Sequence, residues 1–139
     1  MPTKYHDIAN KDMQSVTVHL KNAEPATAGN YGVFFISPRP YEVMEIRAVW
    51  SSVGGASSTL NIERLTGATA EGSGDNIIVS AIDMTGTANT VNEKKNTALS
   101  NRILSTGDRL ALVDAGTLTG LSNLVVTVLL KPRGKGNYR

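Results

Sequence analysis

Few residues in this chain are of a type that does chemistry, and their spacing keeps them apart. There are two histidines, His6 and His19. His6 falls in a polar lead-in, and His19 falls on the polar side of an alternating segment. No pair of them is placed to share a substrate. Glu42 and Glu45 straddle Met44, and strict alternation puts them on opposite faces of one strand, where two carboxylates cannot act on one bond. Glu63 is expected to point outward and to pair with Arg47 across a hairpin, a modest sheet contact. Gly72-Ser73-Gly74-Asp75 has the glycine content of a phosphate cradle but not its Gly-Lys-Ser/Thr ending. It reads as a flexible loop. Asp75, Asp83, Asp108 and Asp114 are dispersed without EF-hand spacing, and there is no cysteine to supply a thiolate. The residues imply no enzyme, no metal and no cofactor.

The remaining reactive feature is charge. Residues 131–139 read Lys-Pro-Arg-Gly-Lys-Gly-Asn-Tyr-Arg, with four basic residues and no acid, so the net charge of +2 hides a body at −2. A nucleic-acid binder more often spreads its basic charge over a folded face. Four charges beside one tyrosine give no stacking platform, so no specific nucleic-acid partner is expected. A basic tail on an acidic body suits docking on an acidic protein surface, a second copy included.

The elements that must carry these residues are strands. Of 139 residues, 40% are hydrophobic and 5% aromatic; Thr, Ser and Gly fill much of the rest, which favours short strands and tight turns. Ser15 to Leu20 alternates, with Val16, Val18 and Leu20 inward. Tyr31 to Ser37 is a short apolar strand stopped by Pro38-Arg39-Pro40. Tyr41 to Trp50 alternates with Met44, Ile46, Ala48 and Trp50 on the inward face. With Thr59 to Leu65 it is expected to form a hairpin across Gly54-Gly55. Asn76 to Met84 and Thr97 to Leu104 are undecided between strand and helical turn. A weak strand lies at 89–92, followed by a charged turn at 93–96. Thr106-Gly107-Asp108 is a turn, and Arg109 to Val113 alternates again. The last strand, Asn123 to Leu130, is apolar on both faces and should be covered on both sides.

Seven to nine short strands separated by turns mean an all-β chain, an antiparallel β-sandwich or jelly roll. One domain is expected, at residues 15–130, flanked by an N-terminal arm at 1–14 and a basic C-terminal arm at 131–139 that leaves the sheet. No apolar run is long enough to span a membrane, and the N-terminus lacks the apolar region of a signal peptide.

Certain phrases carry a resemblance. They are Glu45-Ile46-Arg47-Ala48-Val49-Trp50, Ser58 to Gly67, Gly72-Ser73-Gly74, Asp83 to Thr90, Gly107 to Leu112, and Val125-Val126-Thr127-Val128. Together they resemble the small β-sandwich head decoration, or cement, proteins of tailed bacteriophages. The resemblance implies a structural virion protein made in the host cytoplasm and located on the outer surface of the head. It would bind the major capsid protein, bridge and stabilise neighbouring capsid subunits, and form a homo-oligomer, a trimer ahead of a dimer. A head-fibre, tail or host-surface carbohydrate-binding module is the alternative. The residues expected to reach the partner are Lys131, Arg133, Lys135, Tyr138 and Arg139 from the C-terminal arm, with Lys4 and Tyr5 from the N-terminal one.

Overall fold

The computed structural model describes residues 13–23, 32–95 and 101–133. Among them are ten strands and no helix: β1 Gln14–Ala23, β2 Gly32–Ile36, β3 Tyr41–Val49, β4 Thr59–Leu65, β5 Asp75–Asn76, β6 Ile82–Asp83, β7 Asn92–Lys94, β8 Ile103–Leu104, β9 Arg109–Ala115 and β10 Ser122–Pro132. With no helix there, none of the described residues forms a helix able to cross a membrane.

The strands make two five-stranded antiparallel sheets. One runs β1-β10-β3-β7 with β8 also on β3; the other runs β2-β9-β4-β5 with β6 also on β4. We call them the β10 sheet and the β9 sheet after a central strand of each. The ladders are nested. The first strand pairs the last, β2 pairs β9, β3 pairs the β7 and β8 pieces, and β4 pairs β5 and β6. One long antiparallel ribbon rolled into two layers produces this order, which is the jelly roll.

Period-2 patterning builds the space between the sheets. Ile46, Ala48 and Trp50 meet Leu124, Val126, Val128 and Leu130 from the β10 sheet, and Leu60, Ile62, Leu110 and Leu112 from the β9 sheet. Trp50 is a core residue, 1% exposed. Val16, Val18 and Leu20 pack against this core from the edge strand.

Four expectations are corrected. First, β3 is not of one phase. Glu45 faces Leu129 and Val43 faces Leu130, so Met44 is an extra, bulged residue. Before the bulge Tyr41 and Val43 are buried; after it Ile46 and Ala48 are, and Met44 is only half-buried. A strict alternation cannot register an inserted residue. Second, β3 and β4 form no hairpin. They belong to different sheets, and residues 50–58 carry the chain from one layer to the other. Arg47 and Glu63 are therefore not partners. Third, among the described strands β10 is covered on one face only, by the β9 sheet. Leu124, Val126, Val128 and Leu130 are buried, whereas Val125, Thr127 and Leu129 on the other face are half-buried. Fourth, β10 extends past Leu130: Lys131 pairs with Glu42 and Pro132 with Tyr41. Proline is tolerated there because it sits at the strand's end. The charged turn expected at 93–96 begins instead within β7. Residues 24–31, residues 96–100 and most of both arms lie outside the described residues.

Candidate interaction surfaces

No group of three or more metal-ligating side chains occurs among the described residues. His19 is exposed on β1, and His6 is outside the described residues. The bulge in β3 brings Glu42 and Glu45 to the same, outer side of the sandwich rather than to opposite faces. Each is held by its own cation. Glu42 pairs with Arg102 at 3.0 Å, and Glu45 pairs with Arg47 and, at 3.8 Å, with Lys95. They are two separate ion pairs, not a dyad.

Among the described strands none covers the outer face of the β10 sheet, although Glu45 on it is buried. Thr17 and Thr127 share a hydroxyl hydrogen bond of 2.9 Å across β1 and β10. Arg47 also reaches Glu93 of β7 at 3.1 Å. Two hollows meet at Arg47 and Thr127. One, of about 360 Å³, is lined by Ser15, Glu45 and Leu129 as well; the other, of about 220 Å³, adds Val49, Val91 and Val125. The four charges Glu45, Arg47, Glu93 and Lys95 balance around these hollows, whose lining is amphipathic.

The outer face of the β9 sheet is covered by the chain itself around Glu63, while Val33 and Ile36 of β2 stay exposed. Glu63, expected in solvent, is 2% exposed. Its carboxylate accepts hydrogen bonds from the backbone N–H groups of Gly72 and, at 3.1 Å, Gly74. Asn61 accepts from the Ile78 N–H and donates to the Ile78 carbonyl, both at 3.1 Å. Arg109 donates to the carbonyls of Gly67 and Thr69 at 3.0 and 2.9 Å. The glycine-rich loop is thus pinned rather than loose. Its N–H groups do form an anion nest, but one filled by the protein's own carboxylate. A side chain at Gly74 would place a Cβ 2.6 Å from the Arg64 carbonyl, so glycine is required for the loop to lie this close.

The ends of the described chain come together. Gln14 pairs with Leu130, the Tyr41 hydroxyl donates to Gln14 at 2.5 Å, and the Arg133 N–H donates to the Pro40 carbonyl at 2.9 Å. Of the residues expected to reach a partner, Lys131 and Arg133 are here and exposed. Lys135, Tyr138, Arg139, Lys4 and Tyr5 lie outside the described residues. Sequence reasoning passed over Arg39, whose guanidinium lies 5.9 Å from the Tyr41 ring at this same end. Its place between two prolines drew attention only as a strand stop.

The nested ladders define a jelly-roll β-sandwich. Two solved structures contain chains of similar fold. A chain in the capsid of Ralstonia phage GP4 matches with a TM-score of 0.51 at 18% identity, covering 89% of this chain and 86% of that one. A chain in the capsid asymmetric unit of cyanophage Pam1 matches with a TM-score of 0.51 at 12% identity, covering 87% of this chain and 84% of that one. At such identities the likeness is one of fold. No family model and no curated protein matches the sequence.

Proposed function

We propose that this chain is a structural, non-enzymatic protein of a phage head, a decoration or cement subunit that binds the outer surface of the assembled shell and bridges major capsid subunits. The observation that carries this reading is the shared fold, which extends over most of this chain and most of each of two capsid-derived chains. A protein that binds the assembled lattice but not its free subunits stabilises the lattice by mass action. A compact sandwich with an amphipathic open face is suited to contact rather than catalysis. Self-association, a trimer ahead of a dimer, belongs to the same reading. So do contacts through Lys131 and Arg133 and through Lys135, Tyr138, Arg139, Lys4 and Tyr5. Nothing favours the carbohydrate-binding alternative: none of the described aromatics, Phe34, Phe35, Tyr41 and Trp50, is exposed, and sugar-stacking sites need exposed rings.

The test is co-sedimentation of the purified protein with assembled shells that lack it, followed by heat challenge. Saturable binding with increased shell survival is expected. Absence of binding would overturn the reading, and binding without added survival would remove the cement role while leaving decoration.

A further inference from the structure

We propose that the sandwich attaches by one end, the end where Gln14, Tyr41 and Pro132 meet, to an acidic protein surface, and that the opposite end points away. The inference rests on the capsid-binding reading and adds an orientation and a partner chemistry to it.

Three observations converge. Both ends of the described chain lie there, on the neighbouring strands β1 and β10, so any contact made by residues 1–12 or 134–139 starts from this end. Basic charge is exposed there too, on Lys131 and Arg133, with Arg39 beside them over Tyr41. The sequence that continues from Arg133 carries Lys135 and Arg139 and no acid. The opposite end is the contrary case. Its described loops, residues 50–58, 84–91 and 115–122, contain no Lys, Arg, Asp, Glu or His. They are knitted to one another: the Gly54 N–H donates to the Met84 carbonyl at 2.9 Å, Asn89 N–H to Trp50 at 2.8 Å, and Thr117 N–H to Ala56 at 3.1 Å. At Gly116, where φ is +82°, an added Cβ would lie 2.1 Å from the Ser57 carbonyl. These described loops are knitted together and carry no charge of their own; the exposed charge next to them is an acid, Asp83 of β6. An acidic partner is drawn to the basic end rather than to this one.

The partner is a protein rather than a nucleic acid because acids are interleaved with the bases. Glu42 lies opposite Lys131, and Asp75 and Asp108 border the same end. A uniformly anionic phosphate backbone meets those acids unfavourably. A protein surface of mixed sign and acidic excess matches both.

The experiment uses the full chain and shells that lack it, at two salt concentrations. One variant is Lys131→Glu with Arg133→Glu; the other places Ser52→Glu, Thr87→Glu and Thr119→Glu on the loops of the opposite end. All five positions are exposed, and thermal melts establish that both variants fold. The first variant is expected to bind about tenfold or more weakly, by like-charge juxtaposition, with wild-type binding falling as salt rises. The second is expected to bind like the wild type. Loss of binding in the second variant with retention in the first would overturn the orientation while leaving the capsid reading intact. Binding of a DNA duplex as tightly as of shells would overturn the choice of partner. Failure of the wild-type chain to bind shells would remove the capsid reading and the orientation with it.

Discussion

The outer faces of the two sheets treat polar residues in opposite ways. On the β10 sheet Arg47, Glu93 and Lys95 stand in water, and neighbouring strands supply counter-ions to each. On the β9 sheet Glu63 and Asn61 lie beneath residues 66–78 and are satisfied by specific backbone groups. The same outward positions of a strand thus carry interchangeable surface charge in one sheet and structural hydrogen bonds in the other. The difference is set by what comes next in the chain. A long glycine-rich connection after β4 can fold back over its own sheet, whereas β3 leads straight across to the other layer.

Substitutions can break this contrast. The largest effect is common to both layers: Val126→Asp buries an unpaired charge at a fully buried position and should cost more than about 4 kcal/mol. No cooperative melt is expected. A soluble variant melting like the wild type would mean that β10 does not face the core. The contrast itself is tested next. Glu63→Ala leaves the Gly72 and Gly74 N–H groups without their acceptor and should destabilise by about 2–3 kcal/mol, read from denaturant midpoints at constant slope. Arg47→Ala on the open face should change stability by less than about 1 kcal/mol, since exposed ion pairs contribute little. Equal losses from these two variants would erase the distinction between a covered and an open face.

The smallest effect concerns Asp83 on β6, whose carboxylate accepts from the Thr85 hydroxyl at 2.6 Å and the Thr85 N–H at 2.9 Å. These bonds, the hydroxyl's first, hold its carboxyl below the ordinary value. The associated stability is present above the ordinary aspartate range and lost as pH falls through the lowered value. In Thr85→Ala the Asp83 titration, followed by NMR, should move up toward the ordinary range. An unmoved titration would assign the shift to another cause.

The β10 sheet was the legible one. Its strands alternate, and the alternation located Val16, Val18, Leu20, Ile46, Ala48 and Trp50 on the core side. What alternation could not register was the inserted Met44, because a bulge is fixed by the pairing partner and not by the strand's own pattern. In the β9 sheet Leu60, Ile62, Leu110 and Leu112 were readable in the same way. Glu63 was not, because its burial depends on a loop folding over it, and glutamate in an alternating strand ordinarily signals solvent. The glycines at 72 and 74 were the available clue. Two N–H-rich positions close in sequence to an otherwise unmatched acid form a nest for it. A hairpin of β3 and β4 would make Arg47 and Glu63 partners, but the two strands lie in different sheets. Which of two layers a strand joins is decided by distant strands, β10 and β9, and leaves little local trace. At the basic end, Lys131 and Arg133 were found by charge alone, but the continuation of β10 through Pro132 was hidden by a proline that usually marks a strand's exit.

The position of β10 also governs the order in which the molecule can be made. It lies between β1 and β3, as β9 lies between β2 and β4, so each sheet receives this central strand only after its other described strands have been synthesised. A ribosome that has reached Leu121 has produced every part of the β10 sheet except the strand that joins β1 to the rest. Until then Val16 and Val18 of β1 have no ladder to order them, and the nascent chain presents unpaired strand edges of the kind that invite aggregation. Assembly of this layer therefore waits on the synthesis of β10, and a chain lacking that strand would lose the link between β1 and β3 as well as the strand itself.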